Sequence, residues 1–188
     1  MNPILTAASV CRTAHQGQIR RFCDEPYSNH PARVASRVSL LPDVTENMVV
    51  AAYLHDVLED TDWTIDQLLE AGFSQTAVAY VVGLTDVYTK DAYPKLNRAE
   101  RKALEHERIA KLPPEVLNIK AADIIDNLRG QNPADPFAVT FLREKIQLLS
   151  MIGNKIDFQL GVELLDAGRM LKVASKLAIP KHWEGWVD

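Results

Sequence analysis

Cysteine is nearly absent from this sequence: Cys11 and Cys23 are the only two in 188 residues. Their spacing fits neither a disulfide framework nor a cysteine-based metal or redox motif, and a reducing, cytoplasmic setting suits them best. Long apolar runs are missing too. No stretch approaches the roughly 20 apolar residues that span a bilayer, and the first turn lacks the basic-then-apolar layout of a secretory signal, so no membrane partner is expected. Period-two alternation is also missing, which argues against strands. Nor is there an excess of positive charge. Lys and Arg number 21 against 25 Asp and Glu, a net charge of −4, so no nucleic-acid partner held by the overall field is expected. A small anionic ligand needs only a local cluster of cations and stays open.

What the chain does have is apolar material, 47% of its residues, enough for the core of one compact domain over 1–188. Apolar residues recur at helical spacing nearly throughout, predicting an all-α bundle of about 8–10 helices. Asn2-Pro3 opens a first helix that ends near Gly17, and a polar loop runs to Asn29. His30-Pro31 starts a second helix, stopped by Pro42. Asp43 and Glu46 have capping-box spacing ahead of a third helix over roughly 45–59. Thr64 and Gln67 share that spacing before a short helix ended by Gly72. Ser74 caps a fifth helix through Val82, and the polar, aperiodic stretch 85–96 reads as a loop. Asn97 and Glu100 begin the next helix. Pro113-Pro114 ends it and starts another that stops at Gly130. Two more helices, over about 136–152 and 156–176, complete the core. A tail with Pro180, Trp183 and Trp186 is expected to fold back over apolar surface.

The segment YLHDVLED, residues 53–60, gathers four ionisable side chains at one end of an otherwise apolar helix. Adjacent helical residues point about 100° apart, so His55 and Asp56 can grip one metal ion from two sides. One turn on, Glu59 lies over His55 and Asp60 over Asp56. An isolated His-Asp pair is usually a solvated helix end. Here Ala51, Ala52, Leu54, Val57 and Leu58 should bury the helix, and burying that much charge is costly unless a cation or substrate compensates it. Asp123, within IKAADIIDNLR, shares a face with Asn127 and has Asp126 close by. Taken alone, Asp123 more often partners a lysine or arginine, and His30, just before Pro31, is more often a cap or loop residue. Together His30, His55, Asp56 and Asp123 supply two imidazoles and two carboxylates, a set suited to manganese, iron or zinc. No cysteine competes for the ion, which weakens a structural zinc reading. Such a set can activate water near neutral pH, and Glu59 or Asp60 is placed to orient that water and take its proton.

These motifs resemble the HD-domain phosphohydrolases, and within them the hydrolase domain of the RelA/SpoT alarmone enzymes. HQGQIRR (15–21) is similar to that family's opening motif, and PYSNHP (26–31) to its first metal-histidine motif. AAYLHDVLEDT (51–61) is similar to its HD and ED signature, and IKAADIIDNLR (119–129) to the stretch with its last metal aspartate. Gly83-Leu84-Thr85 falls at a familiar distance. The motifs cover about 15–130, with the C-terminal helices and tail, 131–188, beyond them. The resemblance implies an all-helical fold and one bound metal held by His30, His55, Asp56 and Asp123. That metal is usually Mn²⁺, with Fe²⁺, Zn²⁺ or Co²⁺ as substitutes.

The resemblance further implies that Glu59 and Asp60 serve the attacking water, that Arg20 and Arg21 contact the base and phosphates, and that Asn127 lies near the nucleotide. The implied reaction removes the 3′-pyrophosphate of guanosine tetra- or pentaphosphate, giving GDP or GTP and pyrophosphate. A small alarmone hydrolase standing alone is the implied protein type. Phe22–Glu25 lacks the family's glycine-rich turn. Asp126 stands where the family often has histidine or tyrosine, which would add negative charge to the nucleotide surface. Lys95, Arg143 and Lys145 are further cations able to reach phosphates, although each reads more readily as a surface charge.

Three other readings compete. One keeps the metal and changes the substrate to an adenine alarmone, the 2′-phosphate of NADPH or a nucleoside monophosphate. A di-iron oxygenase would need extra ligands, and His15, His106 and His182 show no helical spacing to the first site. A non-catalytic binding module is a poor match, because the metal set and both acidic helpers occur together.

Overall fold

The computed structural model describes residues 2–175. The expected tail, with Pro180, Trp183 and Trp186, lies outside them, as does His182. Among the described residues there are ten helices and no strand. They are α1 Pro3–Ala14, α2 Asn29–Val38, α3 Glu46–Leu54, α4 Val57–Asp60 and α5 Ile65–Glu70, followed by α6 Gln75–Leu84, α7 Arg98–Ile109, α8 Pro114–Gly130, α9 Ala138–Ile152 and α10 Phe158–Ser175. An isolated antiparallel bridge between Ile19 and Pro26 closes the α1–α2 loop on itself. None of these helices is long and apolar enough to cross a membrane.

The centre of the bundle is α3, whose Met48, Val49, Val50, Ala51, Ala52 and Leu54 are all buried. A helix apolar on every side belongs inside, and α3 packs against α1, α2, α6 and α8. The second buried element is α8, which also packs on α2 and adds α9 and α10 as neighbours, and it buries residues on several faces from Val116 to Leu128. Leu54, Leu117, Ile119 and Ile124 are each fully enclosed in one continuous core. Truncating any of them to Ala should cost about 2–5 kcal/mol in lost transfer energy and cavity formation.

The helix boundaries follow local chemistry. The Asn2 side chain accepts from the backbone N–H of Ile4 and Leu5, and Thr64 with Gln67 and Asn97 with Glu100 form complete capping boxes. Gly17 and Gly72 both sit at positive φ, 82° and 89°, a conformation glycine adopts at no steric cost. Two expectations need correction. The cap of α3 is Thr45, whose hydroxyl accepts from Met48 N–H, rather than a box built on Asp43. The expected helix over 45–59 is also broken: α3 ends at Leu54, and α4 begins at Val57. Between them Asp56 takes φ −98°, ψ −4°, the sparsely populated bridge region, and its carbonyl accepts from both Glu59 and Asp60 N–H. The break falls on the two residues whose side chains carry the most chemistry.

Candidate active site

Three elements bring the expected ligand set together. The first turn of α2 supplies His30, the α3–α4 break supplies His55 and Asp56, and the middle of α8 supplies Asp123. The donor atoms of His30, His55 and Asp56 all lie within 4.8 Å of one another, and no other such group of histidine, cysteine or acidic side chains occurs among the described residues. Asp56 Oδ2 is 3.5 Å from His30 Nε2 and 3.0 Å from His55 Nε2. Asp123 Oδ1 is 3.3 Å and 3.7 Å from the same two nitrogens. The other Asp123 oxygen pairs with Lys120 at 3.0 Å, so this aspartate has a lysine partner and also faces the imidazoles.

The tautomers follow from the far side of each ring. His55 Nδ1 is 2.8 Å from the Ala52 carbonyl, an acceptor only, so it carries the hydrogen. His30 Nδ1 lies 2.7 Å from Asp126 Oδ2 and donates to it. Each ring therefore turns its Nε2 toward carboxylate oxygens, and His55 Nε2 is buried without a hydrogen-bond partner. Unprotonated Nε2 atoms facing carboxylates repel them unless a cation sits between them. A divalent ion that accepts nitrogen and oxygen donors fits that arrangement. The electrostatics show the same demand for positive charge, which a proton on the rings or a metal ion in its place would meet. Burial opposes charge on both imidazoles, but Asp56 and Asp123 around His55, and Asp123 and Asp126 around His30, outweigh it and raise both pKa values.

Behind the ligands, Asp126 organises a buried layer, and the expectation that it adds charge to an open nucleotide surface is corrected here. It is 4% exposed. Its carboxylate accepts from His30, from Arg20 at 2.5 Å and from Arg33 Nε at 2.7 Å. Burial raises its pKa, but these three partners outweigh burial and hold it well below the usual carboxylate range. The signal in the sequence is spacing: Asp126 follows Asp123 by three residues, on the same helical face. Tyr27 is a second contributor that the sequence did not single out. The folded 18–27 loop carries it inward, and its hydroxyl donates to Asp56 Oδ2 at 2.7 Å.

Glu59 and Asp60 stand on α4 at the mouth of a cleft of about 240 Å³, beside Asp56, Asp123 and Asn127. Partial enclosure and the Asp86 carboxylate raise the Glu59 pKa, while enclosure and Asp56 raise that of Asp60. A carboxylate with a raised pKa is a better proton acceptor. Of the expected substrate contacts, only Asn127 lines the cleft, donating to Asp123 Oδ1 at 2.5 Å. Arg20 is buried behind it, bonded to Asp126. Arg21 is 75% exposed, pairs with Asp135 and lies over the Phe22 ring. Phe22 occupies the left-handed region at φ 67°, so the turn keeps a glycine-like conformation without a glycine.

Of the cations that line the rest of the cleft, the sequence singled out Lys145 alone as able to reach phosphates. The lining includes Arg98, Lys102 and His106 from α7, Lys120 from α8 and Lys145 from α9, interleaved with the carboxylates of Asp86, Glu105 and Glu144. Lys95 and Arg143 stay outside the cleft, whereas Lys145 is half-buried within it rather than a surface charge. Arg98, Lys102 and His106 recur every four residues, a spacing that places them on one helix face, so the periodicity of α7 carries the signal. Lys120 was likewise readable at three residues before Asp123. A larger apolar hollow of about 510 Å³ along α9 and α10 shares no residue with this site.

Comparison with known proteins identifies the family. Residues 7–157 match the profile of a family described as HD domain. The guanosine-3′,5′-bis(diphosphate) 3′-pyrophosphohydrolase MESH1 of Homo sapiens is 36% identical over 135 residues, 71% of this chain and 72% of that protein. MESH1 of Danio rerio is 40% identical over 116 residues, 59% of this chain and 58% of its own length. A Haemophilus influenzae protein of the same enzyme name is 35% identical over 126 residues, which cover 64% of this chain and 17% of that longer protein. Among solved structures, a metazoan ortholog of SpoT, which hydrolyses ppGpp and plays a role in starvation responses, superimposes with a TM-score of 0.70 at 26% identity, over 90% of this chain and 96% of that one. With four-fifths of its length inside the family profile and the imidazole–carboxylate cluster in place, the chain belongs to the HD domain family.

Proposed function

We propose that this protein hydrolyses the 3′-pyrophosphate of nucleotides of the guanosine tetraphosphate type, giving GDP or GTP and pyrophosphate, at the His30, His55, Asp56 and Asp123 centre. The observation that carries the reading is the pair of Nε2 atoms facing Asp56 and Asp123 at the end of a cleft lined by two acidic helpers and by the cations Arg98, Lys102, Lys120 and Lys145. Relatives named as 3′-pyrophosphohydrolases of guanosine-3′,5′-bis(diphosphate) point to the substrate class. These four residues would hold a divalent ion, Mn²⁺ in the first instance, which supplies Lewis-acid polarisation of a phosphoryl oxygen and a lowered pKa for water.

The side chains divide the remaining work. Glu59 accepts a proton from the attacking water, and Asp60 orients that water from the next position on α4. The water oxygen bonds to the phosphorus attached to O3′. The P–O3′ bond breaks, its electron pair stays on O3′, and a proton from solvent completes the 3′-hydroxyl. Asn127, held against Asp123, contacts the nucleotide, and Arg21, exposed and not lining the cleft, meets the part of the substrate that stays outside. Arg20 acts as a positioning residue, because its guanidinium is spent on Asp126. The cleft is smaller than the roughly 300–1,000 Å³ of common small-molecule pockets, so it takes the phosphate end of the substrate and leaves the base outside.

The test is product analysis after incubating Mn²⁺-loaded protein with guanosine tetraphosphate, its adenine counterpart and NADPH. GDP with pyrophosphate from the first compound is the expected result. Turnover of only one of the others would move the substrate and keep the phosphohydrolase chemistry. Inertness toward all three would contradict the reading.

A further inference from the structure

The metal-centre chemistry leaves the cations that line the rest of the cleft without a role. They are not equivalent. Arg98 is held by Glu144 through hydrogen bonds of 2.7 and 2.9 Å, and Lys102 by Asp86 at 2.6 Å. Lys120 pairs with Asp123. Lys145 has no carboxylate within ion-pair distance among the described residues, although it is half-buried. Its Nζ sits 5.0 Å from the Phe141 ring centroid. Enclosure, followed by repulsion from Lys120 and Lys102, pulls its pKa down to about 8.

Across from it, His106 is 4% exposed and its Nδ1 has no hydrogen-bond partner. Burial, then Lys145 and Lys102, lower its pKa to about 4, so the ring is neutral near pH 7 and can present an N–H. A desolvated ammonium without an ion-pair partner is costly. An anion rich in acceptor oxygens supplies the missing counter-charge for Lys145, with the neutral His106 ring lining the same cleft, and phosphate oxygens make the strong, charge-assisted kind of hydrogen bond.

We propose that Lys145 and His106, with Lys102 beside them, form a phosphate subsite that receives the outer phosphate of the 3′-pyrophosphoryl group and selects it over a 3′-monophosphate. This rests on the cleft being the phosphohydrolase site described above. The inner phosphorus then faces Asp56 and Asp123, and the outer phosphate lies toward α7 and α9. Lys120 is within electrostatic reach of both ends, since it acts on Asp123 and on Lys145.

The experiment is calorimetric binding of inorganic pyrophosphate and inorganic phosphate to the Mn²⁺-loaded protein, beside kinetics on the 3′-pyrophosphate and 3′-monophosphate forms of one nucleotide. Lys145→Met should weaken pyrophosphate binding and raise KM for the pyrophosphorylated substrate by about tenfold, the scale of one lost charge-assisted contact. Bound metal, phosphate binding and kcat should stay near wild type. Lys145→Arg should restore most of the loss, and His106→Gln should give a smaller loss in the same direction. Lys111→Met, which removes an exposed lysine that does not line the cleft, should change none of these values. Unchanged pyrophosphate affinity in Lys145→Met with full metal content would overturn the proposal, as would equal losses for phosphate and pyrophosphate. If wild-type protein turns over no 3′-pyrophosphorylated nucleotide, the hydrolase reading fails, and the calorimetry still decides the subsite.

Discussion

At one end of the cleft, two imidazoles and two carboxylates crowd around a point that calls for a cation. At the other, α7 and α9 present lysines, an arginine and a neutral imidazole that call for an anion. The first end is built from short-range features: a helix start, a helix break and one turn of α8. It is braced from behind by Asp126, Arg20 and Arg33, all tied together by hydrogen bonds. The second end has no comparable brace around Lys145. A rigid end suits chemistry, which needs fixed geometry. A wall with one unneutralised charge suits recognition, because its stabilisation arrives with the ligand.

That contrast breaks most readily at the first end. Asp56→Ala and Asp123→Ala should each abolish metal binding and turnover, read by metal analysis and activity on the same preparation. Wild-type turnover in either variant would remove these residues from the site. Glu59→Gln should keep its metal and lose about a hundredfold or more in rate, the scale of a lost general base. Equal loss of metal and rate would instead make Glu59 a ligand. Asp126→Asn removes the charge that fixes His30 and neutralises Arg20 and Arg33. It should lower metal affinity about ten- to hundredfold, as other supporting partners of metal ligands do, with affinity measured by chelator competition.

The smallest expected effect belongs to the second end. His106 is held near pH 4 in the fold against 6.5 in a free chain, facing Lys145, Lys102, Glu144 and Asp86. The unfolded chain therefore takes up this proton first as pH falls. The His106 contribution to stability is complete above about pH 6.5 and is lost as pH drops toward 4, at about 1.4 kcal/mol for each unit. Urea denaturation at pH 7 and pH 5 should show a shallower decline for His106→Gln than for wild type. Parallel declines would contradict the assignment.

The two ends also differ in how legible they are in the sequence. His55 and Asp56 stand out because charge inside an apolar run such as Met48–Leu58 is costly unless something compensates it. Periodicity makes the helix itself too long, since the break at Asp56 depends on a backbone conformation that periodicity does not record. His30 and Asp123 emerge through the motifs around them, although their convergence needs α2 and α8 packed on α3. Lys145 reads as a surface charge, because nothing local distinguishes it from Arg143 two residues earlier. Only the packing of α9 against α7 sends one into the cleft and leaves the other outside. Arg20 shows the reverse: its position near the site is readable, but its capture by Asp126, 106 residues away, is not.

Hydrolysis of guanosine tetraphosphate in ¹⁸O-labelled water, with and without a chelator and read by mass spectrometry, tests the central claim most directly. The metal end attacking the inner phosphorus, with the outer phosphate held at the basic end, predicts one ¹⁸O in the released pyrophosphate, none in GDP, and no products after chelation. Label in the nucleotide, orthophosphate as the first product, or turnover indifferent to chelation would contradict it.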